Sequence, residues 1–184
     1  MPFQFPEPST LYRPVWRVRW DNGNNASKKV VVIGINPGST GRPETPDKEP
    51  KIGPYLRNLT ALLDSTGHGE YNDFTLINLF SHVSKDPAKI DFKSATDFRQ
   101  YRNLFERADM ILIAWGVQDS EYAGQKRAAL EVLKNYEAKV YCMERQGKGP
   151  IHPSDRRGLA DAEIVKVNIF PVYAMSLDLN QKLP

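Results

Sequence analysis

One cysteine, Cys142, occurs among 184 residues. A single cysteine closes no intrachain disulfide and cannot supply a Cys-ligated zinc site or an iron–sulfur cluster. Histidine is nearly as scarce: His68, His82 and His152 are scattered along the chain without metal-ligand spacing. No run of 18 apolar residues occurs, which excludes a membrane-spanning helix, and the Pro-rich start Met1–Pro8 has no apolar core of a secretory signal. Charge of one sign is also in short supply. With 25 Lys+Arg against 22 Asp+Glu, the chain is not a histone-like coat for nucleic acid. Neither a Walker A loop nor Gly-x-Gly-x-x-Gly is found, and there are no repeats or low-complexity tracts. What is there is the composition of an ordinary globular protein, 40% hydrophobic and 26% charged. These features predict a cytoplasmic protein with no cofactor, metal or membrane partner. They also predict one domain over 1–184, with an N-terminal arm (1–13), a core (14–170) and a tail (171–184).

Strand and helix patterns alternate along the core. Trp16, Val18 and Trp20 alternate with Val15, Arg17 and Arg19, the period-2 pattern of a half-exposed strand, before a turn at Asp21–Asn25. The unbroken apolar run over 29–35 predicts a strand buried on both faces. A long polar stretch over 37–54 then reads as a functional loop. Pro54 suits the first turn of a helix carrying the stripe Leu56, Leu59, Leu62 and Leu63, closed by Gly67-His68-Gly69. Phe74–Phe80 predicts a second buried strand. Ser94 and Asp97 resemble a capping box ahead of Phe98, Tyr101, Phe105 and Ala108 at helical spacing. Met110–Ala114 predicts a strand, Tyr122 to Leu133 a helix, and Lys139–Met143 and Ile164–Ile169 two more strands. Such alternation implies an α/β fold, a three-layer α/β/α sandwich around a mostly parallel sheet.

In such sheets ligands bind beyond the carboxyl ends of the strands, which directs attention to four places. Asn36-Pro37-Gly38 has the residues of a type II turn. That turn either ends the strand or holds the Asn36 side chain at the sheet edge and offers the Gly38 and Ser39 N–H groups to an acceptor. Asn78 interrupts an apolar strand and needs a partner, because a buried unpaired amide costs about 1–3 kcal/mol. Its partner is either loop backbone or the donor–acceptor edge of a ligand. Trp115-Gly116 ends the next strand, where Trp115 either packs or stacks on a base. His152 lies in a loop with Gly147, Gly149, Pro150 and Pro153, as a surface residue or as a donor to a developing oxyanion. Cys142, in an apolar strand, reads as core and not as a nucleophile.

The order of these strand ends resembles the uracil-DNA glycosylase superfamily. Gly34-Ile35-Asn36-Pro37-Gly38 is similar to the water-site motif of its mismatch-specific and single-strand-selective branches. Leu76-Ile77-Asn78 resembles the strand-end Asn that pairs with the uracil edge. Ile113-Ala114-Trp115-Gly116 resembles the Trp-Gly strand, and His152-Pro153-Ser154 matches a motif whose His supports the uracil O2 as negative charge builds. Residues 12–170 are also similar to an uncharacterised bacterial and phage domain family. Its members read Arg-x-Trp, Asn-Pro-Ser or Asn-Pro-Gly, Asn-Leu-Phe, Ala-Trp-Gly and a glycine-rich loop ending in His-Pro.

The resemblance implies the sandwich fold, base-excision chemistry at Asn36 and His152, and base recognition by Asn78, Phe80 and Trp115. Gly38, Ser39, Lys148, Ser154, Arg156 and Arg157 would contact phosphate. Two features depart from the glycosylase pattern. Asp155-Arg156-Arg157 stands where an apolar wedge is usual, and no aromatic closely follows Gly38. Tyr55, Phe80 or Trp115 are the candidates for the missing stacking residue. Three functions follow: a hydrolase of damaged bases, a nucleotide or nucleic-acid binding module without chemistry, and a protein–protein adaptor using the Trp16–Trp20 ribbon. The chain's small positive charge equals that of 145–157, where Arg145, Lys148, Arg156 and Arg157 face only Asp155. A patch of that size can contact a few phosphates.

Overall fold

The computed structural model describes residues 3–4, 15–20, 27–37, 54–84, 86, 89–116, 122–145, 151–153 and 161–169. The turn over 21–25, most of the 37–54 stretch, and Gly38, Ser39, Lys148, Ser154, Arg156 and Arg157 lie outside them. Among the described residues seven strands form one sheet. In chain order they are β1 (Phe3–Gln4), β2 (Val15–Trp20), β3 (Lys28–Gly34), β4 (Tyr71–Asn78), β5 (Met110–Ile113), β6 (Val140–Glu144) and β7 (Glu163–Lys166). Among the described residues three α-helices accompany them: α1 (Pro54–Ser65), α2 (Arg102–Arg107) and α3 (Ala123–Leu133). Across the sheet the strands run β1-β2-β4-β3-β5-β6-β7. The inner four, β4, β3, β5 and β6, are parallel. The outer ladders, β1 on β2, β2 on β4 and β6 on β7, are antiparallel.

The sequence explains the central strands simply. From Val30 to Gly34 every residue of β3 is buried, as are all four residues of β5. A parallel strand covered on both faces has no need of alternation, so it reads as a continuous apolar run. Successive side chains point to opposite faces, and they enter two separate apolar clusters. Val30, Val32, Phe74, Leu76, Met110 and Leu112 pack with Leu56, Leu59, Leu62 and Leu63 of α1. Val31, Ile33, Ile77, Ile111 and Ile113 pack with Phe105 of α2 and Ala129, Leu130 and Leu133 of α3. Trp16 and Val18 face the α1 cluster while Arg17 is exposed, so Trp16 is core and not a free ribbon face.

Several boundaries differ from the sequence pattern. β4 begins at Tyr71 and ends at Asn78, so Leu79 and Phe80 already belong to the loop. The single helix expected around Phe98–Ala108 is a 3₁₀ turn over Phe98–Tyr101 followed by the short α2. Asp97 caps that turn by accepting from the Arg99 amide. Ser94 forms no box with it: its hydroxyl donates to the Asp91 carbonyl at 2.5 Å and accepts from the His82 amide at 3.2 Å. The last strand is only Glu163–Lys166, and it returns antiparallel to β6. No helix among the described residues is long and apolar enough to cross a membrane.

Candidate functional site at the carboxyl edge of the sheet

β3 leads through α1 on one face, whereas β4 and β5 lead through α2 and α3 on the other. The chain therefore leaves β3 and its two neighbours in opposite directions, the topology at whose carboxyl ends open α/β sheets place their ligand crevice. Gly34 of β3 and Asn78 of β4 are paired neighbours on that edge, and the Ala114 amide just beyond β5 donates to the Ile33 carbonyl at 2.9 Å.

Asn78 is buried, 7% exposed, and its carboxamide folds over Gly34. A Cβ at residue 34 would lie 2.6 Å from Asn78 Oδ1 and 3.4 Å from the Tyr55 hydroxyl. Only glycine leaves room for both. Tyr55 enters from the first turn of α1. Its hydroxyl is fully buried and has no hydrogen-bond partner among the described residues. Burial also pushes the phenol well above its ordinary ionisation range, so it stays an O–H donor.

The Tyr55 ring meets His152 edge-on, with ring centroids 5.4 Å apart at 64°. His152 is brought there from beyond β6 by two backbone anchors. The Ile151 amide donates to the Met143 carbonyl at 2.7 Å, and Asn58 Nδ2 donates to the Pro153 carbonyl at 2.6 Å. On the other side Gly116 takes φ +77°, and a Cβ there would lie 3.6 Å from His152 Cβ. A positive φ favours glycine at this close approach. Asn78, Tyr55 and His152 thus form one contiguous group with Gly34 and Gly116.

The remaining expected site residues have the following surroundings. Asn36 Nδ2 donates to the Ser84 carbonyl at 2.7 Å and the Pro37 carbonyl at 3.3 Å, while the Ser84 amide donates to Pro37 at 3.1 Å. Asn36 therefore clamps the exit of β3 to the loop after β4, and only its Oδ1 is left to orient a water. Phe80 and Trp115, 2% and 5% exposed, are packed in the α2–α3 cluster. Phe80 lies edge-on to Phe92 and Tyr122 at 5.3 and 5.4 Å. Arg145 is also buried, with Nε donating to Asp161 Oδ1, which removes it from the cations of the 145–157 loop. The Cys142 thiol is pushed up to about 12 by burial and, secondarily, by Glu144, so it is a poor nucleophile. His82 Nδ1 accepts from the Asp91 amide at 3.1 Å, and the His68 ring packs edge-on against Tyr71 at 5.7 Å. Among the described residues no group of three His, Cys, Asp or Glu could hold a metal.

Two contributions escaped the sequence reading: the Tyr55 hydroxyl, as distinct from its ring, and Asn58. Their signal was the three-residue spacing that puts both on one face of the helix directly after the loop. Lys126 of α3 also reaches the group, with Nζ donating to the Gly116 carbonyl at 3.3 Å.

The fold and site define a mixed α/β protein with a polar cluster at the switch point of a mostly parallel sheet. A family model described as "Protein of unknown function (DUF1643)" matches residues 13–154, and the chain belongs to that family. No curated protein and no solved structure matches it.

Proposed function

We propose that the protein is a nucleobase-recognising domain, a three-layer α/β/α sandwich of the uracil-DNA glycosylase type acting in the cytoplasm on nucleic acid. The observation that carries this reading is the meeting of Asn78, Tyr55 and His152 at the switch point of the sheet. A carboxamide offers a donor and an acceptor side by side, the complement of a base edge. His152 supplies an N–H where a carbonyl gains negative charge as the N-glycosidic bond breaks. Asn36 orients the attacking water through Oδ1, and Lys148, Ser154, Arg156 and Arg157, with the Gly38 and Ser39 amides, take the phosphates. A nucleotide must leave the base stack to reach such a site.

Purified protein incubated with single- and double-stranded oligonucleotides bearing uracil, xanthine or hypoxanthine should leave alkali-labile abasic sites. His152→Ala should abolish them with an unchanged melting temperature. Absence of both cleavage and binding for every lesion would refute the reading. One observation favours a second form of it, binding without chemistry. The Asn36 NH2 is committed to backbone carbonyls, so Asn36 offers a water only its Oδ1, and a carboxamide oxygen orients a water without taking its proton. Retention of lesion-bearing strands without cleavage would select that form.

A further inference from the structure

We infer that the Tyr55 hydroxyl is a specificity-determining donor of the base site, selecting bases with an imide edge, carbonyl–NH–carbonyl. This inference rests on the nucleobase reading above. The hydroxyl is fully buried, and among the described residues nothing accepts from it or donates to it. Leaving such a group unsatisfied costs about 1–3 kcal/mol, and phenylalanine at the same place would avoid that cost. A hydroxyl kept at this cost beside the crevice is accounted for by a ligand atom that completes it.

Its surroundings specify the ligand. Tyr55 Oη and Asn78 Oδ1 flank one point, the position a Cβ of residue 34 would take. The carboxamide oxygen is the Asn78 atom nearest that point, with Cγ behind it at 3.8 Å. Because the oxygen is the end of the carboxamide nearest the point shared with Tyr55, a base spanning the two side chains would meet phenol O–H, carboxamide oxygen and carboxamide NH2, or donor–acceptor–donor. The complement is acceptor–donor–acceptor, which is a carbonyl, an N–H and a second carbonyl in a row. Uracil and xanthine present that run. Hypoxanthine presents one carbonyl and the N–H and then a C–H, so it fills two of the three positions. Cytosine presents an amino group, a bare ring nitrogen and a carbonyl, so it opposes the first two. Because burial holds the phenol protonated, the donor persists throughout neutral and mildly alkaline solution.

The test compares wild type with Tyr55→Phe on oligonucleotides carrying one deoxyuridine, deoxyxanthosine or deoxyinosine, reading dissociation constants and, where cleavage occurs, single-turnover rates. Wild type should favour uracil and xanthine over hypoxanthine by about tenfold, the worth of one hydrogen bond near 1.4 kcal/mol. Tyr55→Phe should lose about tenfold on uracil and xanthine, leave hypoxanthine unchanged, and melt at the same temperature or higher. Equal affinity of wild type for all three bases would overturn the inference. So would a Tyr55→Phe loss shared equally by the three, or a lowered melting temperature, since either marks a packing role. In those cases base binding itself persists and the nucleobase reading stands. If wild type neither binds nor cleaves any of them, the nucleobase reading fails and takes the Tyr55 assignment with it.

Discussion

Gly34 is where the candidate site is most sensitive to a single atom. Adding a methyl group places Cβ 2.6 Å from Asn78 Oδ1, closer than such contacts tolerate. The backbone of β3 is held by parallel ladders on both sides, so the carboxamide is what must move. Gly34→Ala should therefore cost about 1–3 kcal/mol, as overpacking in a well-filled core does, and abolish ligand binding; denaturant titration and a binding assay read the two effects separately. Asn36 poses a different question, whether it serves water or the fold. Both its donors lie on the carbonyls of Ser84 and Pro37. Asn36→Asp keeps an acceptor for water but sets a carboxylate oxygen against two carbonyls. The expected result is a loss of about 1–3 kcal/mol, and unchanged stability would show that the clamp is dispensable.

At the scale of elements, α1 holds the site together. Pro54 opens it, four leucines bury its inner stripe, and Tyr55 and Asn58 on one flank reach the His152 segment. Asn58→Ala should release the Pro153 carbonyl and speed hydrogen exchange at the Ile151 amide, while exchange in β3 and β5 stays slow. Equal acceleration throughout would mean that the helix itself had loosened. β3, α1, β5 and α3 were legible in the sequence because one face or both faces of each are uniformly apolar. The direction of β2 and β7 was not, since a strand's polarity is set by a partner distant in sequence. The break between Tyr101 and Arg102 was equally hidden. Phe98 and Phe105 keep helical spacing across it, and local capping at Asp97 decides the turn type. At the site, Asn78 and His152 were legible as polar residues at strand ends. The burial of Phe80 and Trp115 was not, because an aromatic at a strand end reads alike whether it lines a cleft or fills a core.

Considered as a whole, the sheet divides the molecule into two cores, and each holds an acid whose proton burial retains. Cys142 lies in the α2–α3 cluster, with its thiol pushed up to about 12 from an ordinary 9.0. Tyr55 packs against the α1 cluster, and burial raises its phenol further still. In the unfolded chain the thiol ionises near 9 and the phenol near 10. Above about pH 9 the unfolded state therefore binds fewer protons than the folded state, and stability must fall as pH rises. The thiol's contribution is complete below pH 9 and declines until about 12, where the folded thiol ionises in turn. Each group contributes a slope of at most about 1.4 kcal/mol per pH unit. Because the two acids sit in separate clusters, their effects should add. Urea midpoints measured from pH 8 to 11 should decline in the wild type, less steeply in Cys142→Ala, and least in Cys142→Ala with Tyr55→Phe. Parallel profiles for all three would show that neither core withholds its proton from solvent. The Tyr55 hydroxyl would then be open to water, and it would no longer need a ligand to complete it.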